Sequence, residues 1–149
     1  MGVSMKVKDV VCKAAPALRK LAKEFSVWEY AEPWAVDVVL KGEGAVRIEI
    51  AAGYWTDLAS VPKKLRGTFD NGSGEFGVLI ASQVHDALYS THYLSKDFAD
   101  TIFREMLIYF RIGKLKSWLY YEAVHLFGDR AWEHSDESDR KFVKLFWHE

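Results

Sequence analysis

The spacing of hydrophobic positions changes along the chain, and this change predicts an α+β fold. Val46, Ile48 and Ile50 alternate with charged residues, which is the period of two typical of a half-buried strand. The preceding run, residues 34–40, is rich in β-branched and aromatic residues, and a glycine-containing turn separates the two runs. We therefore predict a small antiparallel sheet over about residues 26–52.

Beyond this sheet the spacing becomes helical and predicts a bundle of about four helices. The predicted helices cover residues 76–90, 95–111, 114–127 and 138–147. Ser95 is the predicted N-cap of the second helix. The third helix is apolar nearly all round, which indicates a buried core helix. Near the start of the chain, Leu18, Leu21 and Phe25 recur at helical spacing and predict a short helix over 16–25.

Length and composition indicate a single domain spanning residues 1–149. Half of the 149 residues are hydrophobic, which is enough material for one packed core. Residues 1–52 hold the predicted short helix and the sheet, residues 53–77 form an irregular connection, and residues 78–149 form the helical part. A connection of this length inside a compact domain is often functional.

Charge and cysteine content narrow the classes of function. The formal net charge is −1, so the chain lacks the excess of positive charge that is typical of proteins that bind nucleic acid. Cys12 is the single cysteine, so no intrachain disulfide can form and a reducing compartment is indicated. No apolar run approaches the roughly 18 residues of a membrane span, and lysines interrupt the region where a signal peptide is apolar. We expect a cytoplasmic protein, or one released when a cell lyses.

A group of polar side chains interrupts two apolar helices and is the main candidate for chemistry. His85, Asp86 and Tyr89 lie within an arc of roughly 100° on the first long helix. Asp100 lies among apolar residues of the next helix. A charge inside such a helix is costly unless it is paired or used. A short loop joins the two helices, so we expect them to pack antiparallel and to bring His85 to Asp100.

A contact between His85 and Asp100 would have a chemical use. A carboxylate on one ring nitrogen fixes the tautomer and raises basicity, and the other nitrogen can then take a proton from water. Asp86 would be left to hold a hard cation or a substrate group. The alternative is a satisfied buried network that only holds two helices together. The pattern favours the functional interpretation by a small margin.

The irregular connection supplies a second group of candidates. Thr56, Asp57 and Ser60 follow the last predicted strand. Asp57 and Ser60 could cap a short turn, or they could bring a carboxylate and a hydroxyl over the helix pair, and the two alternatives stay open. Thr56 belongs to the same group of substrate or loop candidates. Residues 72–77 match the spacing of a dinucleotide fingerprint, but no strand–helix unit surrounds them, so we treat the match as chance. We interpret His125 as a core or edge histidine.

Four ordered motifs resemble an uncharacterised phage and prophage family, domain of unknown function 1353. They are Gly53-Tyr54-Trp55-Thr56-Asp57-Leu58-Ala59-Ser60-Val61-Pro62, His85-Asp86-x-Leu88-Tyr89, Ala99-Asp100-x-x-Phe103 and Ala123-Val124-x-x-Phe127-Gly128-x-x-Ala131-Trp132. The resemblance implies a phage or prophage origin and supplies no established activity. A virion or tail accessory component, or a factor that binds a host protein, is then a candidate function. The expected location is the host cytoplasm or the virion.

The His-Asp-x-x-Tyr and Ala-Asp-x-x-Phe pair is also similar to secreted and parvoviral phospholipases A2. This resemblance implies a hydrolase of an ester or phospholipid, in which His85 is the base for water and Asp100 supports it. Tyr89 would hydrogen-bond to Asp100, and Asp86 would bind calcium. Asp57 is our candidate for a second calcium ligand. The chain departs from these enzymes in lacking a recognisable glycine-rich calcium loop.

Overall fold

A computed structural model describes residues 6–20, 28–42, 44–56 and 76–148. Within these ranges, antiparallel sheets pack with helices, which confirms the predicted α+β class. The strands are β1 Val7–Val11, β2 Leu18–Lys20, β3 Trp28–Tyr30, β4 Trp34–Leu40, β5 Ala45–Ile50, β6 Trp55–Thr56 and β7 Val143–His148. The helices are α1 Phe76–Thr91, α2 Lys96–Tyr109, α3 Lys114–Phe127, α4 Asp129–Glu133 and a 3₁₀ helix, Ser138–Phe142.

The larger sheet has four antiparallel strands in the order β1-β4-β5-β7, and a smaller one has the order β2-β3-β6. Val36 of β4 pairs with Ile48 of β5, and both are fully buried. The next pair along is Asp37 and Arg47, whose guanidinium Nε donates to the carboxylate at 2.8 Å. One face is therefore apolar and the other polar, as the alternating sequence predicts.

Strand β1 belongs to the large sheet but is not predicted from the sequence pattern. Val7 and Val10 are both buried although they are three residues apart. The register of β1 on β4 shifts between Val7 and Asp9. An irregularity of this kind breaks the period of two on which strand prediction depends.

Two of the predicted helices are wrong. Residues 138–147 form the 3₁₀ helix and then β7, which pairs with β5 from Ile50↔Val143 to Ala45↔His148. These distant hydrogen-bond partners favour the strand, whereas local helical spacing cannot report them. In the predicted helix 16–25, residues 18–20 are strand β2, paired with β3. Residues 21–25 of that prediction lie outside the described residues.

The most buried of the long described helices is α1. Of its 16 residues, 14 are buried. Helix α3 buries Ser117, Tyr120 and Val124, whereas its Leu115 and Phe127 are 71% and 73% exposed. The prediction that α3 is the core helix is therefore wrong, because α3 packs on α2 with one narrow face and leaves most of its large apolar side chains outside.

Helices α1 and α2 form the predicted antiparallel pair. The His85 ring contacts Phe103, and Tyr89, one turn further along α1, contacts Asp100, which is one turn earlier on α2. Ser95 caps α2 as predicted, its hydroxyl accepting a backbone N–H of the first turn. The pair therefore brings the polar residues of both helices to the same level.

None of the described helices is long and apolar enough to cross a membrane.

Candidate functional site

Asp100 is the centre of the polar cluster, and its two carboxylate oxygens have four side-chain partners among the described residues. His85 Nε2 lies 2.7 Å from Oδ1, and the Tyr89 hydroxyl donates to the same oxygen at 2.6 Å. Lys96 Nζ donates to Oδ2 at 2.9 Å, and His125 Nδ1 lies 3.2 Å from that oxygen. Helices α1, α2 and α3 therefore meet at this carboxylate, and we call these five residues the Asp100 cluster.

The Asp100 carboxylate is buried and ionised. Its side chain is 0% exposed. Burial raises the pKa of Asp100, but the hydrogen bond and charge of His85, with hydrogen bonds from Tyr89 and Lys96, outweigh burial and lower the pKa to about 2. Burial, followed by the hydrogen bond to Asp100 and its charge, raises the pKa of Tyr89 far above the ordinary range. The tyrosine therefore keeps its hydroxyl proton and donates a hydrogen bond to the carboxylate.

The charge of Asp100 determines which nitrogen of His85 carries a proton. An ionised carboxylate can only accept hydrogen bonds, so Nε2 of His85 is the donor in this contact. In the neutral form of the ring, the lone pair is then on Nδ1. The imidazole packs against Tyr89 and Phe103 at centroid distances of 4.1 and 4.9 Å. Its plane is therefore fixed by packing and its tautomer by Asp100.

Lys96 and His125 belong to the cluster although the sequence pattern does not single them out. Lys96 precedes Asp100 by four residues, which is the spacing of an ion pair within one helix. The sequence therefore contains a signal for the contact between Lys96 and Asp100. His125 has no local signal, because its contact depends on how α3 packs on α2. The interpretation of His125 as a core or edge histidine is incomplete, since the side chain is 37% exposed and touches Asp100. Lys96 also donates to the backbone oxygen of His125 at 3.0 Å.

A cleft of about 280 Å³ opens beside the cluster. The described residues that line it are Tyr54, Trp55, Thr56, Asp86, Tyr89, Ser90, Ala131, Ser135, Asp139 and Phe142. His85 is not among them and is 1% exposed. Its ring contacts Tyr89, which belongs to both the cleft wall and the Asp100 cluster. A ligand in this cleft would therefore lie one side chain away from the imidazole.

Thr56 and Asp86, two of the predicted site residues, are brought together on the cleft wall. The Thr56 hydroxyl donates to Asp86 Oδ2, which links β6 to α1. Both residues are 7% exposed. Asp57 and Ser60 lie outside the described residues, so the roles predicted for them stay predictions.

The described residues do not complete the calcium site predicted at Asp86. Calcium takes about six to eight oxygen ligands. Asp86 offers a carboxylate that already accepts from Thr56, and Asp57 is outside the described ranges. Calcium binding stays a prediction. Thermal unfolding after EDTA treatment, and again with calcium added, measures it.

Among the described residues, a group that could hold a metal ion lies on the other side of the Asp100 cluster. Ligand atoms of Asp97, Asp100 and His125 lie within 4.8 Å of one another. Lys96 Nζ already occupies a position on Asp100 Oδ2, the oxygen nearest to His125. A metal ion would have to displace this ammonium. The arrangement is therefore better described as a carboxylate neutralised by lysine than as a metal site.

Residues 28–124 match the family described as Protein of unknown function (DUF1353). The match covers more than half of the chain, so the chain belongs to this family, as its four motifs predict. The matched range contains the Thr56–Asp86 contact and all members of the Asp100 cluster except His125. No curated protein and no solved structure matches the chain.

Proposed function

We propose that this chain is a phage- or prophage-encoded hydrolase in which His85, held by Asp100, takes a proton from water. The observation that carries the proposal is the 2.7 Å contact between His85 Nε2 and Asp100 Oδ1, both side chains being fully buried. Such a contact leaves Nδ1 as the basic atom of the neutral ring. The carboxylate also stabilises the imidazolium that forms when Nδ1 accepts a proton.

The proposed reaction is the hydrolysis of an ester. The His85 imidazole does not line the cleft, so a side chain of the cleft wall must move aside for water and ester to reach it. Nδ1 then removes a proton from water while the water oxygen attacks the ester carbonyl carbon. The imidazolium then gives this proton to the leaving alkoxide as the carbon–oxygen bond breaks, so His85 ends the cycle neutral. Tyr89 and Lys96 hold Asp100 in its ionised state, which keeps the proton on the imidazole rather than on the carboxylate. Asp86, on the cleft wall, holds a polar group of the substrate.

Hydrolysis of a graded series of p-nitrophenyl esters, together with phospholipid vesicles, tests this function. The variants are His85→Gln and, as the matched control, His134→Gln, which changes an exposed histidine outside the cluster. We expect wild type and His134→Gln to hydrolyse at least one ester, and His85→Gln to be slower by about 100-fold or more. Folded wild-type protein without activity on every ester, or equal rates in wild type and His85→Gln, would contradict the proposal.

A second candidate function is that of a non-catalytic virion or tail component, or of a factor that binds a host protein. The observation that favours it is the outward side of α3, where five large apolar side chains are more than half exposed. They are Leu115, Trp118, Leu119, Leu126 and Phe127. Apolar surface of this kind marks interaction sites. Immunoblots of gradient-purified virions would detect the chain if it is a virion component, and its absence there would argue against that role.

A further inference from the structure

The cleft beside the Asp100 cluster carries charge of one sign in its described lining. Asp86 contributes a carboxylate from α1, and Asp139 contributes another from the 3₁₀ helix. The other eight lining residues of the described part are neutral, and none of them is lysine, arginine or histidine. We call this pocket the acidic cleft.

Tyr54 lines the cleft together with both carboxylates and lies within reach of their negative charges. Its ring is 1% exposed. Burial raises the pKa of its hydroxyl, and the negative charges of Asp86 and then Asp139 raise it further. The two acidic side chains therefore approach Tyr54 from two different elements and share the field of one small volume.

Aromatic rings form much of the remaining wall of the acidic cleft. Four of the ten described lining residues are aromatic: Tyr54, Trp55, Tyr89 and Phe142. Trp55 is 53% exposed and offers ring surface to a ligand. The face of an aromatic ring attracts a cation that lies within about 6 Å of its centroid. Rings and carboxylates in one cleft therefore favour the same sign of ligand charge.

The cations next to Asp139 in the sequence are engaged with other partners. Arg140 donates through Nε to the Thr91 backbone oxygen at 2.7 Å and through Nη2 to Glu137 at 2.8 Å. Lys141 Nζ lies 5.3 Å from the centroid of the Phe142 ring. Lys141 therefore already contacts one ring of the cleft lining, and the exposed ring of Trp55 is the one offered to a ligand.

The size and lining of the cleft decide between ligand classes. A volume of about 280 Å³ lies just below the roughly 300–1,000 Å³ of pockets for drug-sized molecules, so the ligand is small. An anion would meet two carboxylates. A hard metal ion would bind only the oxygen atoms of the lining and would leave the aromatic walls without a partner. An organic cation can contact both the carboxylates and the rings.

We infer that the acidic cleft binds a small organic ammonium ion, with Asp86 and Asp139 facing its charge and the aromatic rings packing around its carbon groups. This inference shares Asp86 with the proposed hydrolase, where that residue holds a polar group of the substrate, but ammonium binding does not depend on catalysis. His85 does not line the cleft, so ligand binding and the proton transfer can fail separately in experiments.

Isothermal titration calorimetry on the full chain with choline tests the inference. The matched probe is 3,3-dimethylbutan-1-ol, which has the shape of choline without its charge. We expect saturable choline binding and about tenfold or greater weakening for the neutral probe, since a desolvated cation–aromatic contact is worth that much. Asp139→Asn should weaken choline by a similar factor. Trp55→Ala, which changes a half-exposed side chain, should weaken it with little risk to folding.

The control variant is Asp97→Asn, the same substitution at a side chain that is 85% exposed on α2, a helix that contributes no described residue to the cleft lining. It should change choline affinity by less than about twofold, as exposed charges at a distance are screened. Equal binding of choline and its neutral analogue would overturn the inference. Calcium binding that Asp139→Asn abolishes, in a protein that does not bind choline, would also overturn the inference. Choline binding by His85→Gln that lacks esterase activity would support the cleft independently of the reaction.

Discussion

Asp100 can stay charged in the interior because its hydrogen-bonding capacity is filled. An ionised carboxylate has about four acceptor positions, and His85, Tyr89, Lys96 and His125 approach its two oxygens in pairs. An unpaired charge at this position would destabilise the fold strongly. The same arrangement that makes the charge tolerable also orients the imidazole of His85.

Asp100→Asn is therefore expected to destabilise the protein strongly. The amide keeps the shape of the side chain but removes the charge and directs an NH₂ group toward donors such as Lys96. Breaking a buried ion pair from one side costs about 3–5 kcal/mol of unfolding free energy. Urea denaturation measures the change. Asp97→Asn, whose side chain is 85% exposed, should cost less than about 1 kcal/mol, and a similar loss in both variants would contradict this account.

The contacts of His85, Tyr89 and Asp100 could be predicted because helical spacing and a short interhelical loop fix their relative heights. Thr56 reaches Asp86 from strand β6, a contact that the sequence did not predict although both residues were candidates. His125 could not be predicted, since its contact depends on the crossing of α3 over α2. Spacing along one helix carries no information about that crossing.

Among the helices and strands, the sequence predicts those that pack or pair with an element close to them along the chain. Strands β4 and β5 are joined by a tight turn, and α1 and α2 by a short loop, and all four are predicted. Strand β7 pairs with β5, about a hundred residues earlier, and its local spacing resembles a helix. The exposed face of α3 is also unpredictable from composition, because an apolar helix is buried only where the fold provides a surface for it.

Gly128, at the junction of α3 and α4, links element packing to the site. A Cβ at this position would lie 2.3 Å from the Val124 backbone oxygen and 2.7 Å from the Tyr89 hydroxyl. Gly128→Ala must therefore displace the end of α3, Tyr89 or both. We expect a loss of about 1–3 kcal/mol in unfolding free energy, the usual cost of overpacking, measured by chemical denaturation.

Tyr89→Phe provides the control for this prediction. Without the hydroxyl, one of the two close contacts disappears, so Gly128→Ala should cost less in the Tyr89→Phe background than in wild type. A double-mutant cycle measures the difference. An equal cost in both backgrounds would show that Gly128 does not constrain the tyrosine hydroxyl.

For the whole molecule, the large sheet unites distant parts of the chain. Its edge strands, β1 and β7, come from opposite ends of the described residues, and β4 and β5 lie between them. The helix pair packs with this sheet, and Tyr109 of α2 donates to the Cys12 backbone oxygen just after β1 at 3.0 Å. The Asp100 cluster is therefore anchored to a framework whose formation requires most of the chain.

Acid stability is a property of the whole molecule that depends on Asp100. Its pKa is lowered from 3.8 to about 2 in the folded protein. A lowered pKa means that the carboxylate stabilises the fold above its ordinary pKa, and that this contribution is lost as the pH falls through the folded value. The stability difference between wild type and Asp100→Asn should therefore shrink as the pH decreases from about 4 toward 2. Denaturation curves across this range measure it, and a constant difference would count against the ionised carboxylate.

The protonation of the His85 ring is the most direct test of the central claim that Asp100 holds His85 as an oriented base. Long-range ¹H–¹⁵N correlation spectra of ¹⁵N-histidine-labelled protein distinguish the two neutral tautomers. We predict that the neutral His85 ring carries its proton on Nε2, with the lone pair on Nδ1, and that Asp100→Asn weakens this preference. A neutral His85 ring protonated on Nδ1 would contradict the account.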